Sequence, residues 1–179
     1  MRGWNVVATA RQGRFAEAVR LLGGWGPVAR TDYYNVLVLR ADQPRGVLED
    51  LTRMGEDAPG LLAPLARLVP AERTFDFRDR EEFEARAREA VLGWAERLKG
   101  RSFHVRMHRR GFRKRMSSQE EEQLLDAVLM EALEQAGAPG RVTFDDPDCI
   151  LAVETVGGRA GLSLWTREER ARHPLLGLD

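Results

Sequence analysis

Ser102-Phe103-His104-Val105-Arg106-Met107-His108-Arg109-Arg110-Gly111 carries the clearest period in the chain. Phe103, Val105 and Met107 fall on one side of a two-residue repeat, and His104, Arg106, His108 and Arg110 on the other. Successive side chains of a strand point to opposite faces, so this pattern predicts a strand with one buried face, ended by Gly111. Phe112 to Met116 then reads as a basic loop. Ser117 or Ser118 caps the helix that follows, with Ser118 and Glu121 in capping-box register. Leu124, Leu125, Val128, Leu129, Ala132 and Leu133 give that helix its apolar stripe, and Gly137, Pro139 and Gly140 end it. Downstream, residues 142–144 read as a short strand and Asp146-Pro147-Asp148 as a turn. Residues 150–156 and 160–165 read as two strands joined by a Gly157-Gly158 hairpin. Upstream, residues 80–98 form a charged helix whose apolar side is Phe83, Ala87, Val91, Trp94, Ala95 and Leu98, broken by Gly100.

The first half of the chain reads separately. Residues 5–9 are an apolar run fit for a buried strand, and Phe15, Ala18, Val19 and Leu22 follow helical spacing up to a Gly23-Gly24 stop. Residues 28–32 and 36–39 are extended, and Val47, Leu48, Leu51 and Met54 mark a second helix, closed by Gly55. A last extended stretch runs from residues 67–70 through 75–77. The order strand, helix, strand, strand, helix, strand predicts a ferredoxin-like sandwich, one sheet covered on one face by two helices. The boundary between the halves falls near residues 77–80, which divides the chain, α+β as a whole, into a ferredoxin-like 1–78 and an α/β domain over 79–179.

The composition is that of a globular protein: 179 residues, 43% hydrophobic and 31% charged. No apolar run approaches the roughly 18 residues of a membrane span, and the start lacks a secretory signal, so a soluble, cytoplasmic protein is expected. The single cysteine, Cys149, excludes an internal disulfide and a Cys-based zinc cage. Net charge is zero, from 28 basic and 28 acidic residues, but the distribution is uneven. Residues 99–116 carry eight cations and no carboxylate, and residues 117–138 carry six carboxylates and no cation. Exposed charges act over roughly a Debye length, about 8–10 Å, so only this local run is placed to attract a polyanion.

Catalytic motifs are missing from the sequence. It contains neither a Gly-x-x-x-x-Gly-Lys-Ser/Thr loop nor a Gly-x-Gly-x-x-Gly turn after a strand, and Gly23-Gly24-Trp25-Gly26 follows a helix and reads as its stop. His104 and His108 lie roughly 13 Å apart if extended, too far to share one zinc. Cys149 has no recognisable base beside it and reads as a small buried hydrophobe. Asp145, Asp146 and Asp148 are either a carboxylate cluster for a cation or, flanking a proline, turn and capping groups. The expectation is a protein that is not an enzyme and carries no cofactor or metal. The binding candidates are Arg101, His104, Arg106, His108, Arg109, Arg110, Arg113, Lys114 and Arg115. Guanidinium forks suit phosphate oxygens, and the two histidines, read as exposed, suit stacking on bases. The alternative is that the run pairs internally with Glu120, Glu121 and Glu122 at the start of the next helix.

The basic strand end at 102–111, the Ser117-Ser118 helix start, Val142-Thr143-Phe144-Asp145-Asp146-Pro147-Asp148, and the strand from Ile150 to Glu154 together resemble a THUMP domain. The tail from Arg172 to Asp179 is similar to the segment that follows such a domain, and residues 1–78 to the ferredoxin-like module that commonly precedes it. The resemblance implies RNA binding, with the acceptor stem and 3′ end of tRNA docked and presented to a modifying centre. In larger relatives that centre is a fused methyltransferase, thiolation or deamination domain. Here the sequence ends at Asp179, which leads to the expectation of a standalone module. Its layout is similar to the tRNA-binding adaptor of the cytidine acetyltransferase that makes 4-acetylcytidine. By the same resemblance Arg106, Arg109 and Arg110 match the family's basic strand end, and Arg113, Lys114 and Arg115 the loop after it. Pro147, Asp148 and Glu154 match structural positions. The expected partners are tRNA and a tRNA-modifying enzyme, with oligomeric state left open. Two rival readings are a protein-interaction module using the basic patch on a partner enzyme, and a small enzyme using the Asp145-Asp146-Asp148 cluster with a divalent metal.

Overall fold

β1 (Val6–Ala10), α1 (Phe15–Leu22), β2 (Val28–Arg30), β3 (Val36–Leu39), α2 (Pro44–Asp57) and β4 (Leu65–Pro70) open the chain in the computed structural model, which describes residues 2–178. They build a four-stranded sheet in the order β2-β3-β1-β4, antiparallel throughout, the split βαβ arrangement expected for this half. Its central strands are apolar along their length because both are flanked on each side. Val6, Val7 and Ala8 pair with Leu39, Val38 and Leu37, and all six are 2% exposed or less. Ala18 and Leu22 of α1, and Val47, Leu48 and Leu51 of α2, complete that core. Gly55 does not close α2. The helix runs past it to Asp57, with the Ala58 N–H still bonded to the Met54 carbonyl.

β5 (Arg73–Asp76), α3 (Arg80–Leu92), α4 (Ala95–Leu98), β6 (Ser102–His108), α5 (Ser118–Gln135), β7 (Arg141–Val142), β8 (Cys149–Val156), β9 (Arg159–Thr166) and α6 (Arg167–Arg172) follow. A second sheet, five-stranded, has the order β5-β9-β8-β6-β7. β8 and β9 form the antiparallel hairpin about Gly157-Gly158, and β6 runs parallel to β8, from Phe103 opposite Cys149 to His108 opposite Glu154. One face of this sheet presents Phe103, Val105, Met107, Leu151, Val153, Leu162 and Leu164 to Phe83, Ala87 and Val91 of α3 and Leu125, Leu129 and Leu133 of α5. In α5, Leu124, Val128 and Ala132 only flank that stripe, half-buried. The helix expected over 80–98 is interrupted at Gly93, where the Arg73 guanidinium lies 4.9 Å from the Trp94 ring.

The chain divides into two compact units at Glu72, short of the expected boundary. β5 is the reason: Arg73–Asp76 hydrogen-bonds along β9 and so belongs to the second sheet, although in sequence it continues the run from β4. The tail differs as well. Arg170–Gly177 belongs to the first unit, where Arg67 Nε donates to the Leu176 carbonyl at 2.9 Å and Thr52 Oγ1 lies 2.7 Å from His173 Nδ1. No helix among the described residues is long and apolar enough to cross a membrane.

Candidate nucleic-acid interface

β6 lacks a full neighbour on its outer side. β7 pairs with it only at Ser102 and Phe103, which leaves the outward N–H groups of Val105 and Met107 without a strand partner. Two carboxylates one turn apart on α5 take them: Asp126 Oδ1 accepts from Val105 N at 2.9 Å, and Glu122 Oε1 accepts from Met107 N at 2.6 Å. Burial pushes the Asp126 carboxyl up to about 7, with the Glu122 charge adding to the rise and the Val105 hydrogen bond opposing it.

The remaining acids of the α5 N-terminus are also committed. Ser117, not Ser118, is the N-cap, its Oγ accepting from Glu120 N at 3.5 Å. Glu120 and Glu121 both turn to Arg80: Glu120 Oε2 lies 2.8 Å from Arg80 Nη1, and Glu121 Oε1 lies 2.9 Å from Nε. The Glu121 contact is with the charge rather than an aligned hydrogen bond, and burial raises the carboxyl above its usual range. None of Glu120, Glu121 and Glu122 thus forms an ion pair with a cation of residues 99–115 among the described residues.

The cations themselves separate into two groups. Arg101, Arg106, Arg113, Lys114 and Arg115 are exposed, and none has a carboxylate within 4.0 Å among the described residues. Arg110 is different: Nη1 lies 2.6 Å from Glu154 Oε2, and the Glu154 side chain is only 2% exposed. Its backbone is tied as well, with Arg110 N donating to Thr155 Oγ1 at 3.0 Å and Gly157 N donating to Arg110 O at 2.9 Å. Arg109 Nη1 donates to the Gly111 carbonyl, and its Nε is buried without a hydrogen bond. The two histidines are not the exposed pair expected from alternation. His104 is 5% exposed, and its Nδ1 donates to Thr143 O at 2.9 Å. His108 is half-buried, with Nδ1 3.5 Å from Glu154 Oε1. The second face of the sheet is covered too, as Ile150, Ala152 and Trp165 at 1% or less attest, and this is why period two does not translate into exposure here.

The loop after β6 is held at both ends. Phe112 packs on Phe77, ring centroids 4.8 Å apart, and Met116 is buried. Arg115 N and Met116 N both donate to the Phe112 carbonyl, at 3.0 and 3.1 Å. Between the anchors, Phe112 at φ 52° and Lys114 at φ 67° occupy the left-handed region, costing on the order of 1–3 kcal/mol each. The turn thus projects Arg113, Lys114 and Arg115 from a fixed backbone. Arg101 sits at the other end of a strand roughly 20 Å long, with Nη1 3.9 Å from Cys149 Sγ, and Arg106 shares the opposite sheet face with His104, so the exposed cations are spread out and form no compact cluster.

Asp146 and Asp148 converge on the Arg167 guanidinium, Asp148 Oδ1 lying 3.2 Å from Nη1, and Asp145 takes no part. Asp148 Oδ2 accepts from Ser102 N at 2.9 Å and from Ser102 Oγ at 2.8 Å, which holds the carboxyl below its usual range. Asp146 Oδ1 pairs with Arg167 Nε at 2.8 Å. Among the described residues no group of three or more His, Cys, Asp or Glu side chains is arranged to hold a metal. Cys149 is buried, its thiol pushed up by that burial. Two exposed groups escaped the sequence reading: Arg141, opposite Ser102 on β7, and Phe144, 72% exposed and outside any strand. An aromatic after Val142-Thr143 mimics a strand end, but β7 stops at Val142.

No protein-family model matches this chain, and no curated protein does. Solved structures do. PH1313 from Pyrococcus horikoshii Ot3 is 15% identical with a TM-score of 0.56, over 90% of this chain and 55% of that one. TrmN from Thermus thermophilus is 23% identical with a TM-score of 0.56, over 90% and 44%. A 4-thiouridine synthetase crystallised with RNA and ATP is 14% identical with a TM-score of 0.55, over 91% and 42%. The chain spans about half the length of these structures or slightly less. At such identities the likeness is one of fold: the protein has a mixed α/β, THUMP-like fold.

Two outcomes follow from the site. Replacing Arg110 with alanine removes the nearest cation from the buried Glu154 carboxylate and is expected to lower unfolding stability by about 1–3 kcal/mol in urea denaturation, whereas Arg113→Ala leaves it within about 0.5 kcal/mol. The Asp126 carboxyl, raised in the folded chain, contributes stability that is complete below about pH 4 and is lost as pH rises through about 7. The stability curve of Asp126→Asn is expected to be flatter across that window by up to about 1.4 kcal/mol per pH unit, and parallel curves would refute this role.

Proposed function

We propose that the protein binds tRNA through its exposed cations Arg101, Arg106, Arg113, Lys114 and Arg115, and docks its acceptor and 3′-end region for a separate tRNA-modifying enzyme. The observation that carries the reading is the uncompensated charge of a rigidly anchored loop whose adjacent carboxylates are all engaged elsewhere. Guanidinium groups match phosphate oxygens, and contacts to phosphates position a protein on a nucleic-acid backbone. Base edges of an A-form helix are out of reach of side chains, so such a surface selects RNA by shape. The THUMP-like fold supports the same reading, as does the likeness to a 4-thiouridine synthetase whose structure contains RNA. The chemistry itself is assigned to the partner, and the 4-acetylcytidine acetyltransferase is the partner the sequence resemblance favours.

Neutralising about four to six phosphates gives a log–log slope of affinity against salt of roughly −3 to −5. Filter binding of tRNA by the triple variant Arg113→Ala, Lys114→Ala, Arg115→Ala is expected to reduce that slope by about 2. An unchanged slope removes the loop from the interface. Retention of no tRNA by the unaltered chain favours instead a surface for an acidic protein partner.

A further inference from the structure

The first unit contains a cleft of about 440 Å³, within the range of small-ligand sites, between the last turns of α2, residues 59–62 and the tail segment 172–175. Pro59, Leu62, Ala66 and Leu175 give it apolar walls. Thr52, Glu56 and Arg172 line it as well, and the same three residues line an adjoining hollow of about 220 Å³ to which Glu49 contributes. The cleft is preformed. Thr52 Oγ1 donates to the Leu48 carbonyl at 2.9 Å and lies 2.7 Å from Nδ1 of the buried His173, which ties the tail to α2. Arg11 N donates to Pro64 O at 2.8 Å and Arg11 Nε to Leu65 O at 3.2 Å, which anchors that guanidinium at the wall. The charges are the decisive feature. Glu56 and Arg172 line both hollows, yet neither forms an ion pair with the other or with any other described residue, and the same holds for Arg11 and Glu49. Arg53, the other cation of the smaller hollow, is taken by Asp50.

We infer that this cleft binds a small zwitterion with an apolar body, an apolar amino acid or dipeptide. Its ammonium sits at Glu56 and Glu49, its carboxylate at Arg172 and Arg11, and its side chain or chains on the walls formed by Pro59, Leu62 and Leu175. A purely anionic ligand meets the two carboxylates and a purely cationic one the two guanidiniums, so a ligand carrying both charges complements the lining best. The planar fork of a guanidinium suits a carboxylate, and the apolar walls select among zwitterions by the surface they bury. A preformed cleft also loses little side-chain freedom when it is occupied. The cleft takes no residue from the proposed tRNA surface, and the inference stands without that reading.

The test is isothermal titration calorimetry of the full chain with L-leucine and with L-leucyl-L-leucine. At least one of the two is expected to bind with a dissociation constant of about 1 mM or lower, and the tighter of them tells a free amino acid from a dipeptide. For that compound, N-acetylation and C-amidation are each expected to weaken binding about fivefold, the effect of losing one partly solvated charge pair. Glu56→Gln is expected to abolish the discrimination against the acetylated form, and Arg172→Gln that against the amidated form. Both residues are exposed, so neither change threatens the fold, which circular dichroism verifies. Binding of neither compound by the unaltered chain overturns the inference. So do capped forms that bind as tightly as the free compound, or a discrimination that survives the matching substitution.

Discussion

Two hydrogen bonds, from Val105 N to Asp126 and from Met107 N to Glu122, decide what the basic segment is free to do. β6 is a parallel strand whose outer edge is covered by β7 for only two residues. An open edge invites pairing with another chain, and its buried N–H groups need acceptors. Carboxylates spaced one helical turn apart on α5 supply both remedies. Their engagement with the edge, together with the capture of Glu120 and Glu121 by Arg80, uses most of the acidic charge that follows the basic run in sequence. The cations beyond the strand form no ion pair with these acids.

The same logic sorts the cations. Arg110 closes a buried pair with Glu154 and fastens the strand end to the β8–β9 hairpin, so it is part of the scaffold. Arg113, Lys114 and Arg115 ride on a turn clamped by Phe112 and Met116, and their exposed side chains have no carboxylate partner among the described residues.

Much of this was legible in the residues. The alternation from Phe103 to Met107 located β6 and its core face, Gly157-Gly158 located the hairpin, and the Phe15–Leu22 helix was readable to its ends. The rest depended on contacts distant in sequence. Periodicity states which side chains share a face, not whether that face is covered, so His104 was expected outside and lies buried. Residues 73–76 look like a continuation of β4, and only their ladder with β9 assigns them to the other sheet. Arg109 and Arg110 are indistinguishable from Arg113 and Arg115 by composition; partners more than forty positions away, Glu154 and Thr155, make the difference for Arg110. Phe144 gave no warning, because an exposed aromatic and a strand-ending one read alike until the strand is seen to stop at Val142.

The most direct measurement is arginine modification with phenylglyoxal, read residue by residue by mass spectrometry with and without bound tRNA. The account predicts that Arg106, Arg113 and Arg115 react readily in the free protein and are shielded in the complex, while Arg110 reacts slowly in both states. Arg113 and Arg115 remaining as reactive in the tRNA complex as in the free protein would contradict it.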